Sequence, residues 1–166
     1  MRKDTLSVEA VRACYRPERI TTLFVGESAP RSGAFFYYGD PPLTGYMKKA
    51  IDAAGLGGKG DFLDRFKAYG WYLDDLVLTP VNDLKKPQRR QLCQDAKNSL
   101  AIRIAEYRPL AIVSLLICIK DFVEAAAIAA GSTAPRFAVH FPLQGNLPRF
   151  QKDMAHILPQ LPRELE

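Results

Sequence analysis

The sequence has few cysteines and no long apolar run. Its three cysteines, Cys14, Cys93 and Cys118, are odd in number and far apart, so they form neither a CxxC pair nor a Cys/His cluster at metal-ligand spacing. We expect free thiols in a reducing compartment, with no metal or other cofactor. The longest apolar run, Leu110 to Ile119, is too short to span a bilayer, and no secretory signal pattern opens the chain. A cytoplasmic protein without a membrane partner is therefore expected.

Positive charge is only mildly in excess. The chain carries 23 Lys and Arg against 18 Asp and Glu, a formal net charge of +5, which favours polyanionic partners. Its 166 residues match the size of one ordinary domain, and a hydrophobic content of 48% supplies a substantial core. We predict a single domain over residues 1–166, present as a monomer.

Short apolar segments alternate with segments of helical periodicity. The predicted strands are Leu23 to Val25, Trp71 to Leu78, Leu110 to Ile117 and Arg136 to Phe141. The predicted helices are Val8 to Tyr15, Tyr46 to Ala54, Asp61 to Tyr69, Pro87 to Tyr107, Asp121 to Ala130 and Arg149 to Leu158. This alternation implies βαβ units, so we predict an α/β protein, a three-layer α/β/α sandwich around a mainly parallel four-stranded sheet.

The glycine-rich segment Gly55 to Gly60 has two interpretations. A phosphate-binding loop would follow a strand and end in GK[ST], whereas this segment follows a predicted helix and lacks that ending. A flexible connection between helices is therefore favoured.

Residues that could take part in catalysis lie at or after the ends of the predicted strands. Glu27 comes after the first strand, while Asp75 and His140 lie toward the ends of the second and fourth. Because the carboxyl ends of parallel strands lie together, these three side chains are predicted to share one crevice. A carboxylate beside a flat ring such as Phe36, with an imidazole opposite, suits a planar heterocycle.

Four motifs stand in one order along the chain. They begin at Val25, Tyr72, Arg108 and His140, and they read VGESAP followed by FFY, YLDDLVLTP, RPLAIVSL and HFPLQGN. The corresponding family motifs are GEAPG followed by an aromatic, ITNVVKCRPP, RPKVIVxLG and HPSP. From about Ile20 to Leu158 the chain therefore resembles the uracil-DNA glycosylase superfamily, and its layout is closest to family 4 of that superfamily.

The resemblance implies a monofunctional DNA glycosylase of base-excision repair. Such an enzyme hydrolyses the N-glycosidic bond of a flipped-out damaged or deaminated base, with uracil as the family default. Cleavage develops positive charge on the sugar and negative charge on the departing base. By the resemblance, Glu27 positions water or stabilises the sugar cation, and His140 or amides of its loop meet the base oxygen.

The resemblance also implies single- or double-stranded DNA as the partner. Phe36 would stack on the flipped base. The substrate-binding residues would be Gly26, Ser28, Phe36, Tyr37, Asp75 and Asn146. Leu143 or Leu147 would wedge into the gap that the base leaves. Phosphates would be contacted by Arg31, Lys85, Lys86, Arg89, Arg90 and Arg149.

Three departures from the family pattern bear on the reaction. Asp75 stands where the family has an asparagine that reads the base, and an ionised carboxylate accepts hydrogen bonds but cannot donate them. Phe141 separates His140 from Pro142, so one alignment puts Phe141 in the place of the family histidine. The cysteines that ligate an iron–sulfur cluster in many family 4 proteins are missing, and no cluster is predicted.

Each candidate residue also has a structural interpretation. Glu27 could cap a helix or pair with Arg31, Asp75 could cap a turn or pair with the basic run, and His140 could be an inward strand residue. The aromatics after Glu27 could be packing residues, and Lys85 to Arg90 could be a solvated helix start. A catalytically inactive protein that binds nucleic acid or a nucleobase, or a small-molecule hydrolase or transferase, is therefore an alternative function for the same fold.

Overall fold

The computed structural model describes residues 5–30, 35–39 and 42–164. These residues form four strands: β1 (Thr22–Gly26), β2 (Trp71–Asp75), β3 (Ala111–Ser114) and β4 (Arg136–Ala138). They form six α-helices: α1 (Thr5–Cys14), α2 (Pro42–Ala53), α3 (Phe62–Ala68), α4 (Lys86–Tyr107), α5 (Lys120–Ala129) and α6 (Leu147–Ile157). Short 3₁₀ helices lie at Phe36–Tyr38, Ile117–Ile119 and Leu158–Gln160. No helix in these ranges is both long enough and apolar enough to cross a membrane.

The four strands make one parallel sheet in the order β2-β1-β3-β4. Val25 of β1 lies opposite Asp74 of β2 and Ser114 of β3, so the carboxyl ends of these three strands are level. The central strand β1 is buried along its whole length, as expected for a parallel strand covered on both faces. The predicted four-stranded parallel sheet is confirmed.

Helices cover both faces of the sheet. Helix α4 packs against α5 and α2 packs against α6, which confirms the predicted α/β/α sandwich. A cluster of aromatic rings fills the core beside β1 and β2. In this cluster the ring centroid of Phe24 lies 5.5 Å from that of Phe66 and 5.6 Å from that of Trp71, and Phe36 joins through Phe66 at 5.4 Å.

The predicted elements differ from the observed ones mainly at their ends. Strand β2 ends at Asp75, whereas the prediction continued to Leu78. Leu76 and Val77 are buried although they lie in the loop after the strand. Because they are apolar, the sequence pattern extended the predicted strand over them. Strand β4 likewise covers three of the six residues predicted for it. The loops at this edge of the sheet are therefore longer than predicted.

The glycine-rich segment connects α2 to α3, which is the interpretation that the sequence favoured. Gly55 and Gly60 adopt positive φ angles of 76° and 91°, which a glycine accepts without steric cost. The Arg65 guanidinium of α3 donates hydrogen bonds to the carbonyl oxygens of Gly58 and Lys59, at 2.8 and 3.2 Å. The segment is thus a helix connection held by a side chain of the helix that follows it.

Candidate functional site

A cavity of about 720 Å³ opens at the carboxyl edge of the sheet. Each strand contributes to its lining: Glu27 follows β1, Asp75 ends β2, Cys118 follows β3 and Phe141 follows β4. This is the place where open parallel α/β sheets bind their ligands. The volume is also within the usual range of small-molecule sites.

Most of the predicted site residues line this cavity. They are Gly26, Glu27, Ser28, Phe36, Asp75, Lys86, Arg89, Arg90, Leu143 and Asn146. The structure places five others outside the lining: Tyr37, Lys85, His140, Leu147 and Arg149. Arg31 lies outside the described residues. The predicted crevice thus exists, although His140 does not take part in it.

Glu27 stands at the end of the central strand and forms an ion pair with Arg89. Its side chain is 13% exposed, and the Arg89 side chain, in the first turn of α4, is 39% exposed. The basic run is therefore more than a solvated helix start, because one of its arginines reaches the candidate catalytic carboxylate. The alternative partner considered for Glu27, Arg31, is not among the described residues.

Three cations of α4 form one side of the cavity, which we call the basic rim: Lys86, Arg89 and Arg90. The Arg90 guanidinium lies over the ring of Phe122, 5.2 Å from its centroid, and this contact orients the side chain. The positive end of the α4 dipole adds to the same electrostatic potential. The basic rim therefore favours an anionic group at the cavity mouth.

Asp75 is buried against Arg12 of α1. The Nη2 atom of Arg12 donates to Asp75 Oδ2 at 2.9 Å, and its Nη1 donates to the Leu73 carbonyl at 3.1 Å. Burial raises the pKa of Asp75, while the charge and the hydrogen bond of Arg12 act in the opposite direction. The partner of Asp75 is thus an arginine of α1, and the predicted alternatives of a turn cap or a pair with the basic run are wrong.

Gly26 allows this carboxylate to lie directly against β1. A Cβ atom at position 26 would stand 2.5 Å from Asp75 Oδ1, closer than such contacts occur in proteins. The requirement for glycine at this position comes from the approach of a neighbouring side chain, since Gly26 has no positive φ angle.

The neighbouring Asp74 lies outside the cavity lining and has further part-buried partners. It accepts hydrogen bonds from Arg103 at 2.8 Å and from the Tyr107 hydroxyl at 2.9 Å. Burial and the charge of Asp74 raise the pKa of Tyr107. Asp74 is as deeply buried as Asp75 but does not line the cavity.

The aromatic residues after Glu27 divide between lining and packing. Phe36 lines the cavity although it is only 3% exposed, because most of the ring packs against the core. Tyr37 is turned into the core, where its hydroxyl oxygen accepts a hydrogen bond of 2.6 Å from the Leu73 amide and its ring stacks on Tyr15. Tyr37 therefore lies outside the cavity lining.

His140 is held by α6 and is not presented to the cavity. Its Nδ1 atom lies 2.8 Å from Asp153 Oδ2, and its backbone N–H donates to the same oxygen at 2.9 Å. Both contacts fix the loop after β4 to α6. Phe141, the next residue, lines the cavity instead. The loop thus presents a phenyl ring where the prediction expected an imidazole, because Asp153 engages the histidine.

The remaining predicted DNA contacts lie on the outer surface or are half-buried against the core. Lys85 and Arg149 are exposed away from the cavity lining, while Leu147 is half-buried against the core. Leu143 is 44% exposed at the cavity, which leaves it as the wedge candidate of the two leucines.

Sequence reasoning missed Arg12. Its signal was a cation four residues after Val8 of α1 and three residues before Tyr15, which follows α1; both of these residues are half-buried against the core. An arginine at such a position requires a buried acidic partner, and Asp75 provides it.

Sequence reasoning also treated the cysteines as incidental, yet Cys93 and Cys118 line the cavity. Burial raises the pKa of Cys93 to about 11, and the negative charge of Glu27 acts in the same direction. Burial also raises the pKa of Cys118. Cys118 follows β3 at the carboxyl edge, so the rule that selected Glu27 would have found it. Within the described ranges no group of three or more His, Cys, Asp or Glu side chains is placed to hold a metal ion.

No protein-family model matches the chain, and no curated protein matches it either. The resemblance to the uracil-DNA glycosylase superfamily and the activity that it implies therefore stay predictions. What the geometry adds is a cavity with Glu27, Asp75, aromatic walls and the basic rim.

Proposed function

We propose that the protein is a DNA glycosylase-like hydrolase that cleaves the N-glycosidic bond of a damaged base flipped out of DNA. The observation that carries the proposal is the position of Glu27, at the end of the central strand and facing a cavity large enough for a nucleotide base. Such an enzyme would act as a cytoplasmic monomer in base-excision repair.

The walls of the cavity suit a planar base. Phe36 and Phe141 contribute aromatic surface, and Leu116 adds aliphatic surface. Enzymes that flip bases hold the extruded base between aromatic or apolar side chains and read its edge through polar groups. Asp75 and Asn146 are polar groups of that kind in the same lining.

The basic rim supports DNA as the substrate. Lys86 and Arg90 stand beside Arg89, and together they would neutralise phosphates next to the flipped nucleotide. A phosphate at the rim would also compete with Glu27 for the guanidinium of Arg89. Binding of DNA would thereby free the carboxylate at the position where the sugar enters.

The reaction then assigns two roles to Glu27. As the C1′–N bond breaks, its electron pair leaves with the base, and water adds to C1′ of the sugar. Glu27 stabilises the positive charge on the sugar and accepts the proton of the water. Because His140 is engaged by Asp153, a donor to the base would come from the Asn146 amide or from backbone amides of the loop after β4.

Glycosylase assays on oligonucleotides test the proposal. Single- and double-stranded oligonucleotides that carry uracil, hypoxanthine, xanthine or oxidised and alkylated bases are incubated with the protein, and abasic sites are detected by alkaline cleavage. Glu27→Gln should lower the rate about 100-fold or more, because a positioned acid–base group contributes that much. Glu106→Gln, which alters a surface glutamate paired with Arg16, is the matched control and should keep full activity. Absence of product from every substrate at excess protein would refute the activity.

A catalytically inactive binding protein is the second candidate. It is favoured by the ion pairs themselves, because Arg89 neutralises Glu27 and Arg12 neutralises Asp75. This candidate predicts DNA or nucleobase binding that Glu27→Gln leaves unchanged, with no abasic sites. DNA binding should weaken steeply with added salt, as the phosphate contacts of the basic rim would require.

A further inference from the structure

Asp75 is the more deeply buried of the two carboxylates in the cavity lining. Its side chain is 6% exposed, compared with 13% for Glu27. One of its oxygens, Oδ2, accepts the hydrogen bond from Arg12, whereas no described residue donates to Oδ1. Oδ1 lies beside Gly26, and both Asp75 and Gly26 line the cavity. A ligand at this wall therefore meets a carboxylate that still has hydrogen-bonding capacity.

Burial raises the pKa of Asp75, but the Arg12 guanidinium lies 2.9 Å from Oδ2 and pairs with the charged form, which only accepts hydrogen bonds. Its two oxygens have about four lone-pair sites, and Arg12 occupies one of them, so lone pairs remain on both oxygens. A ligand that forms one hydrogen bond to each carboxylate oxygen needs two adjacent, parallel N–H donors.

Among nucleobase edges, guanine presents that pattern, with N1–H beside the exocyclic N2–H. Uracil presents N3–H between two carbonyls, one of whose oxygens would face a carboxylate oxygen. Hypoxanthine presents N1–H beside C2–H, so it lacks the second N–H donor. We infer that the cavity is selective for a base with the Watson–Crick edge of guanine, and that Asp75 is the residue that reads this edge.

This inference rests on the proposed function and names its substrate class. Intact guanine is not a repair substrate, but a guanine oxidised or alkylated on its imidazole ring keeps both donors. An N7-alkylated guanine carries a positive charge, so it departs as a neutral base when the C1′–N9 electron pair moves onto the ring. Such a leaving group needs no donor, which fits a loop that presents Phe141 and not an imidazole. The aromatic rings of Phe36 and Phe141 also favour a cationic base.

Calorimetric titration with guanosine, inosine, uridine and 1-methylguanosine tests the selectivity without any variant. Guanosine should bind about tenfold or more tightly than each of the other three, because each of them lacks at least one of two hydrogen bonds to a charged group. Equal binding of guanosine and 1-methylguanosine, stronger binding of uridine, or no binding of any nucleoside would overturn the inference.

Asp75→Asn supplies a donor beside an acceptor, so the preference should move from guanosine to inosine and uridine. Asp74→Asn is the matched control, because Asp74 is the preceding strand residue, contacts the same Arg12 at 3.6 Å and does not line the cavity. The control should keep the preference for guanosine, and a shift in the control equal to that of Asp75→Asn would overturn the assignment. If Asp75→Asn does not fold, the comparison of guanosine with 1-methylguanosine in the unaltered protein decides.

Oligonucleotides separate this inference from the proposed function. Release of 7-methylguanine or 8-oxoguanine in preference to uracil supports both. Release of uracil without either guanine lesion overturns the inference while the glycosylase proposal stands. Selective guanosine binding without release of any base supports the inference and overturns the glycosylase proposal.

Discussion

Replacing Arg12 by methionine tests whether the buried ion pair behind the cavity holds α1 against the sheet. The change removes the guanidinium that contacts Asp75 at 2.9 Å and Asp74 at 3.6 Å, and it keeps much of the aliphatic volume. Arg12 is 2% exposed and Asp75 is 4% exposed, so water cannot replace the lost partner easily. The variant therefore leaves an unpaired carboxylate in the core.

The expected cost follows from this burial. Removing one partner of a buried ion pair costs about 3 to 5 kcal/mol. The lower end is expected, because Asp74 keeps Arg103 and Tyr107 and because Asp75 can take up a proton. For a chain of this length about 3 kcal/mol corresponds to a decrease in Tm of roughly 6 to 12 °C.

The cost should also depend on pH. Arg12 lowers the pKa of Asp75, so its loss raises that pKa further above the ordinary value. A carboxyl group whose pKa is higher in the folded chain than in the unfolded chain favours the fold at low pH, and this contribution is lost as the pH rises through the folded pKa. The difference between variant and parent should be smallest below about pH 4 and should grow toward neutral pH.

Urea unfolding followed by tryptophan fluorescence measures both effects, because Trp71 is the single tryptophan and is fully buried. Arg16→Met is the control. Its pair with Glu106 is exposed on both sides, so this change should cost at most about 1 kcal/mol. A cost below about 1 kcal/mol for Arg12→Met at neutral pH, or a cost independent of pH, would refute the reasoning.

Two further predictions concern the cavity itself. Gly26→Ala forces a Cβ against the Asp75 carboxylate, so we expect a loss of about 1 to 3 kcal/mol in urea unfolding and weaker nucleoside binding; unchanged stability and binding would contradict the contact. Cys118 lines the cavity and is exposed, whereas Cys14 is exposed outside the lining, so bound DNA or nucleoside should slow maleimide labelling of Cys118 alone. Mass spectrometry measures the labelling rates of Cys118 and Cys14. If Cys118 is labelled equally fast with and without ligand, the ligand binds outside the cavity.

Local features of the sequence were enough to predict the architecture. The alternation of apolar runs with helical periodicity identified all four strands and the six helices of the described residues, because these patterns depend on neighbours a few positions apart. The parallel sheet then brought Glu27 and Asp75 to one edge, since the carboxyl ends of parallel strands are level. The existence of the cavity could therefore be predicted, and most of the predicted site residues line it.

Pairing between distant side chains was decided only by the tertiary structure. Glu27 and Arg89 are 62 positions apart, and Arg12 and Asp75 are 63 positions apart. His140 was an equally good cavity residue by position, but its contact with Asp153 depends on where α6 packs. An ion pair forms where the fold brings two opposite charges close together, and a local sequence pattern does not contain the distance between residues far apart in the chain. The sequence by itself determined where a site would form, and packing decided which groups remain available in it.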